Sequence, residues 1–272
     1  MAISELTILY PQIALLAESI SGTNTTDAQI KNISYGGGNL YLESDSSVTD
    51  MYVDYDLGSG NTASINFVAV RRANLLSAQD EGNARIRIIG SSDNFSSSND
   101  TVFDEDNLST SGLLNNSDLI DTLSSPSTAY RYWRIRTTTD SSAIHRIGKV
   151  YFGSIFDFGR SPSYPYDYQY FNSGGAFISD SGAAFKSAMR PRKRRFTFEW
   201  RAISDSLRNS FDSNIGKNLD TFQIALYHNQ SGTSNSPLGG DKLAWGYGEY
   251  SLSTGARYDL NDLRIELTED MP

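Results

Sequence analysis

The chain has 272 residues, 38% hydrophobic and 12% aromatic, with 16 tyrosines, 22 glycines, no cysteine and a formal net charge of -9. That charge excludes a molecule that wraps nucleic acid over its whole surface, since phosphate binding needs a positive face. The missing thiols exclude disulfide staples and thiolate metal sites, and the length accommodates one or two domains.

The first twenty residues lack a basic start, and Glu5, Pro11 and Glu18 interrupt their apolar run, so neither a secretory signal nor a membrane span is expected there. Leu6–Tyr10, stopped by Pro11, predicts a strand. Tyr35 followed by Gly36, Gly37 and Gly38 predicts a turn, and residues 39–43 begin a further strand. Residues 52–57 alternate and close on Asp56-Leu57-Gly58. Residues 63–70 are almost continuously apolar, the signature of a central strand. Residues 84–89 alternate Ile86 and Ile88 against Arg85 and Arg87, and end in Gly90-Ser91-Ser92-Asp93. Residues 91–128 show almost no period and predict a long loop region, pinned by Leu113, Leu114, Leu119, Ile120 and Leu123.

Residues 131–153 organise the first half. Arg131, Trp133, Ile135 and Thr137 point one way and Tyr132, Arg134 and Arg136 the other, a period of two in aromatic and β-branched residues. Thr139-Asp140-Ser141-Ser142 predicts a turn, after which Ile147, Val150 and Phe152 supply an opposing apolar face. On periodicity alone this is a core hairpin.

The run Arg131-Tyr132-Trp133-Arg134-Ile135, then Ile147-Gly148-Lys149-Val150-Tyr151-Phe152-Gly153, resembles the closing strands of discoidin-like, coagulation-factor C-type domains. Two earlier anchors stand in the same order: residues 52–58 with the strand after them, and residues 84–95. The resemblance covers residues 50–153. It implies an eight-stranded jelly-roll sandwich whose end loops bind sugars or lipid head groups. Here those loops contain Tyr35, Asn39, Asp93 and Asn94, with Tyr35 as a stacking ring. The cysteine pair that ties the ends of many extracellular members is absent, and no aromatic membrane-inserting tip can be assigned; no membrane insertion is expected.

The second half opens through a junction at 159–180. Tyr164, Tyr166, Tyr168 and Tyr170 fall on even positions, hence on one side of an extended chain, and form a domain or subunit contact. The basic cluster Arg192, Lys193, Arg194, Arg195 runs straight into the strand Phe196–Trp200 without interleaved aromatics, which favours a solvated strand end or a charged protein contact over nucleic acid. Ser204-Asp205 caps a helix with Leu207, Phe211 and Ile215 at four-residue spacing, ended by Gly216. Residues 222–227, 243–250 and 263–267 predict strands. The Leu9-Tyr10-Pro11 opening, the jelly roll and the Phe196-Thr197-Phe198-Glu199-Trp200 strand together resemble small tail or baseplate proteins of bacteriophages. That resemblance implies a virion subunit assembled in the bacterial cytoplasm.

The fold class expected is mainly β: an N-terminal antiparallel jelly-roll β-sandwich over 1–158, then a smaller β-rich domain with one short helix over 181–272. Only His145 and His228 could serve as histidine ligands or bases, and each sits where a structural role is expected. No zincin, nucleophile-elbow or phosphate-loop motif occurs. The acidic residues 100–106 could hold Ca²⁺ through oxygen ligands but lack the EF-hand pattern; otherwise no cofactor is expected. The leading expectation is a non-catalytic virion protein that forms homo-oligomers and binds other tail proteins. The alternative is a carbohydrate-binding module that touches a host-surface glycan. A polysaccharide-degrading enzyme ranks third.

Overall fold

Alternation of apolar and polar side chains, period two through most of the chain, decides the architecture. The computed structural model describes residues 6–10, 12–25, 30, 42–74, 85–105, 119–123, 125–163, 167–171, 176–178, 184–186, 193–219, 224–228, 243–254 and 260–269. It is mostly β, as expected, with a short helix at Gln12–Leu16 beside the one expected, and divides into two compact units, Tyr10–Ile155 and Met1–Leu9 with Phe156–Pro272. The elements begin β1 (Leu6–Tyr10), α1 (Gln12–Leu16), β2 (Ser19–Thr23), β3 (Leu42–Glu43) and β4 (Val48–Asp56). There follow β5 (Phe67–Asn74), β6 (Arg85–Ser91), β7 (Asp100–Glu105), β8 (Leu119–Thr122), β9 (Tyr132–Ala143) and β10 (Arg146–Phe156).

The first unit is an antiparallel jelly-roll sandwich. One sheet has the order β2-β4-β9-β6-β7. In the other, β10 pairs with β3 and β5, and β5 pairs with β8. Among the described strands, every connection from β3 to β10 crosses between the sheets except β6 to β7. Met51, Val53, Tyr55, Ile86, Ile88, Trp133 and Ile135 face inward from one sheet, and Val68, Val70, Ile147, Val150 and Phe152 from the other. Trp133 is fully buried, its ring 6.0 Å from Phe152 and 5.8 Å from Tyr130. Each such side chain contributes about 1.5–3 kcal/mol on burial.

The hairpin expected over 131–153 is not one. β9 runs through the expected turn to Ala143, and β10 starts at Arg146 in the opposite sheet. Both strands carry an apolar face, and a sandwich buries the two faces against each other, whereas a hairpin would set them side by side. The central strand lies later than expected, at Phe67–Asn74; Ala63 makes only an isolated bridge to Tyr130. The region 91–128 holds two strands that periodicity missed. One, β7, lies at the end of its sheet and, among its described side chains, sends only Phe103 fully into the core, so no repeat of two betrays it.

The second unit adds β11 (Asp167–Phe171), β12 (Ala176–Ile178), β13 (Ala184–Lys186), β14 (Lys193–Ser204), α2 (Asp205–Asn214), β15 (Ile224–His228), β16 (Leu243–Thr254) and β17 (Leu260–Glu269). Its sheet runs β11-β14-β17-β16-β15-β1, and β12 pairs with β13 apart from it. The strand Leu6–Tyr10, read in sequence as the start of the jelly roll, therefore pairs with β15 of this unit, Leu6 opposite His228. Phe196, Phe198, Trp200, Leu263, Ile265 and Leu267 are buried on one face. Phe158 stacks on Trp200 at 4.1 Å, and Phe211 of α2 lies 5.9 Å from Phe158. Ser204 caps α2 as expected, its Oγ accepting from the Leu207 N–H at 3.3 Å. The helix closes at Ile215, and Gly216 opens a short 3₁₀ turn instead of ending it.

Candidate functional site

The outward side chains of the five-stranded sheet form a ladder of charge pairs. Arg134 meets Asp54, directly opposite on β4, through two hydrogen bonds of 2.6 and 2.7 Å. Arg136 reaches Asp50 at 3.0 and 2.8 Å, and Arg131 reaches Asp56 at 2.7 and 2.9 Å. Arg87 of β6 stands directly opposite Arg136, a like-charge pair that would repel. Each turns to its own acid, Arg87 to Asp104 at 3.2 Å. The Arg131 guanidinium holds the Asp56 carboxyl below the usual carboxylate range, and Asp50 raises Arg136. These pairs are part-exposed and screened by solvent, so each adds little to stability. Their larger effect is to fix the guanidinium planes.

Arg134 is also held from two further sides, 4.0 Å from the Tyr52 ring and 4.0 Å from the Phe95 ring. Phe95 comes from the loop that follows β6. Asn94 and Phe95 both take left-handed backbone, φ 56° and 62°. Two consecutive non-glycine residues there cost about 1–3 kcal/mol each. Asp93 offsets that strain. Its Oδ2 accepts from the N–H groups of Ser97 and Ser98, both at 3.0 Å, and from the Ser97 hydroxyl at 2.5 Å. The fully buried Ser91 hydroxyl donates to Asp93 Oδ1 at 2.9 Å and accepts from the Phe95 N–H at 2.9 Å. The Ser97 bond leads the set that holds the Asp93 carboxyl well below the usual range. Phe95 is half-buried, 6.5 Å from the Tyr132 ring, and Asn94 is exposed beside it. The result is a rigid rim: two aromatic faces, a fixed guanidinium and an exposed amide. Such a set can stack on an apolar ring face and hydrogen-bond its edge.

Sequence reasoning singled out Asp93 and Asn94 in this loop. It missed Phe95, Tyr132, Tyr52 and Arg134 as partners. The outward alternation of β9 was a signal for Tyr132 and Arg134, but the backbone that aims Phe95 at them has no sequence signature outside glycine. Tyr35 and Asn39 lie outside the described residues, as do Tyr164, Tyr166 and Arg192. Tyr168 pairs through its backbone with Phe196, and Tyr170, opposite Arg194, is 58% exposed. Of the basic cluster, Lys193 is half-buried and Arg195 exposed. Arg194 departs from the expected solvated end: alternation turns it inward, where it binds Glu269 at 2.7 and 2.5 Å. Asp104, from the acidic stretch 100–106, pairs with Arg85 and Arg87 of its own sheet.

His145 is fully buried, its ring nitrogens 2.8 Å from the Thr137 hydroxyl and 3.0 Å from that of Thr139. These contacts tie the end of β9 to the start of β10. Among the described residues no group of three or more His, Asp or Glu is placed to hold a metal ion. No helix there is long and apolar enough to cross a membrane.

No family model matches the chain, and no curated protein matches it. Solved structures do. The CBM32 of AlyQ, solved with 4,5-unsaturated mannuronic acid, is 17% identical with a TM-score of 0.36, over 50% of this chain and 94% of its own. A Streptococcus pneumoniae fucose-binding module is 12% identical with a TM-score of 0.36, over 53% and 94%. A chitosan-binding module from a Paenibacillus chitosanase/glucanase is 14% identical with a TM-score of 0.38, over 53% and 98%. Likenesses this distant carry no inference about what this chain binds.

Proposed function

We propose that the unit Tyr10–Ile155 is a non-catalytic carbohydrate-binding module and that the rim around Phe95 is its ligand contact. One observation carries this reading: a phenylalanine held in left-handed backbone by the Asp93 staple, half-open to solvent, packed on Arg134 and beside Tyr132. Backbone strain that the surroundings over-determine belongs to functional positions more than to passive loops. Sugars offer an apolar face to an aromatic ring and hydroxyls that both donate and accept, which suits Phe95 and Tyr132 with the exposed Asn94 amide. The test is a glycan array with the intact chain. Binding to at least one glycan class is expected, and Phe95→Ala and Asn94→Ala each weaken it about tenfold or more. An array without signal, or binding that Phe95→Ala leaves unchanged, removes the proposal. Tyr35→Ala tests whether the neighbouring glycine-rich stretch contributes.

A second reading is favoured by Tyr170, exposed on β11 at the end of the described sheet of the other unit. Tyrosine gives large contact area for little entropy lost. We propose that this face joins neighbouring copies or other tail proteins in a phage particle, with the carbohydrate contact turned to the host. Native mass spectrometry at micromolar protein is expected to show a closed oligomer that Tyr170→Ala dissociates; a monomer at every concentration, and no chain in purified particles, would sink it.

A further inference from the structure

The outer face of the sheet in Phe156–Pro272 carries a polar depression, about 290 Å³, lined by Arg195, Tyr247, Gly248, Glu249, Glu266 and Thr268. Register explains its chemistry. Arg195, Thr268 and Tyr247 form one cross-strand row over β14, β17 and β16. In the adjoining row Glu266 stands directly opposite Glu249. Opposed carboxylates on neighbouring strands destabilise a sheet. Arg264 relieves one of them, its Nη2 donating to Glu266 at 2.6 Å, while Glu249 stays exposed.

The depression therefore holds two carboxylates, with two guanidiniums in or beside it. Neither sign dominates, so neither a phosphate-like anion nor a simple cation is favoured. It offers donors from Arg195, Thr268 and Tyr247, acceptors from Glu249 and Glu266, and one aromatic wall. A ligand whose every polar group both donates and accepts fits such a lining, and hydroxyls do so. The volume is at the small end of ligand sites, about 300–1,000 Å³, enough for one ring and too little for a chain of them.

We infer that this depression is a binding site for a single neutral, pyranose-sized polyol. It uses none of the residues around Phe95, and the two sites fail or succeed separately. A ligand of about a dozen non-hydrogen atoms in an open site of this kind binds in the millimolar range.

The experiment is a titration of the ¹⁵N-labelled intact chain with D-galactose, D-glucose, N-acetylglucosamine and L-fucose, read by amide shifts. Saturable shifts in β16 and β17 are expected with at least one sugar. Glu249→Gln, which keeps shape and removes charge, and Tyr247→Ala are each expected to weaken them about tenfold, whereas Phe95→Ala leaves them in place. Shifts confined to residues 91–98 would support the carbohydrate reading of the other unit and overturn this one. No saturable shift in β16 or β17 with any of the four sugars overturns it too, as do shifts there that Glu249→Gln does not reduce.

Discussion

Breaking the Arg194–Glu269 pair is expected to be among the most damaging single changes in the second unit. Their side chains are 10% and 6% exposed and joined by two hydrogen bonds. Glu269→Gln keeps the shape but takes the Glu269 charge away from the buried Arg194 guanidinium. Removing one member of a buried pair costs about 3–5 kcal/mol, a large part of the 5–15 kcal/mol that holds a typical domain together. The exposed pair Arg201–Glu199, at 67% and 38%, is the comparison, since solvent screens its charges. With a urea slope of about 3 kcal/mol/M, Glu269→Gln lowers the midpoint by roughly 1–1.7 M. Because the chain has two units, the loss is localised by hydrogen exchange at the amides of β14 and β17. The double change Arg194→Met with Glu269→Leu removes both charges and is expected to recover most of the loss. If Glu269→Gln moves the midpoint no further than Glu199→Gln does, the pair is not buried in the sense argued.

Trp133→Ala is expected to destabilise the jelly-roll unit by about 3–5 kcal/mol, read by urea unfolding; a cost under about 1 kcal/mol contradicts its place between the sheets. Asp93 is held below its ordinary value, so its contribution is complete above the ordinary carboxylate value of 3.8 and is lost only as pH falls below that. Carbon-detected NMR is expected to find its carboxylate still ionised where exposed aspartates have titrated; titration with the others rejects the staple. A Cβ at Gly90 would come 2.2 Å from Tyr130 Cδ2, against the ring whose hydroxyl donates to Asp100 at 2.9 Å. Gly90→Ala is therefore expected to cost about 1–3 kcal/mol and to broaden the amide signals of residues 91–98, and an unchanged spectrum counts against that packing.

The parts of the fold legible in the sequence were those where one face of a strand is buried and the other is not. β4, β6, β9, β14 and β17 alternate because their sheets have one wet side, and residues 52–57, 84–89, 131–137 and 196–200 announced them. β7 and β8 stayed hidden because a strand of four to six residues leaves too short a repeat to detect. Pairing was less legible still. The apolar faces of Trp133 and Phe152 were read as opposed, and they are, but whether they meet across a turn or across a sandwich depends on the rest of the sheet. Leu6–Tyr10 was visible as a strand, but its partner β15 lies more than two hundred residues away, where local pattern has no reach. For the site, the polar loop residues were visible and the aromatic ones were not. Asp93 and Asn94 belong to a turn vocabulary, whereas the role of Phe95 depends on a φ that its side chain type disfavours.

That φ also explains why core and candidate site cannot vary independently. β9 sends Trp133, Ile135 and Thr137 inward and Tyr132, Arg134 and Arg136 outward, so a one-residue slip in its pairing would exchange the two sets. The inward set fixes the register because its burial is worth far more than any surface pair. The outward set then inherits positions accurate enough for Arg134 to lie 4.0 Å from two rings that come from different segments. A loop strained at Asn94 and Phe95 would relax if Arg134 and Tyr132 offered nothing to pack on. The hydrophobic core, through register alone, sets the geometry of a rim it does not touch.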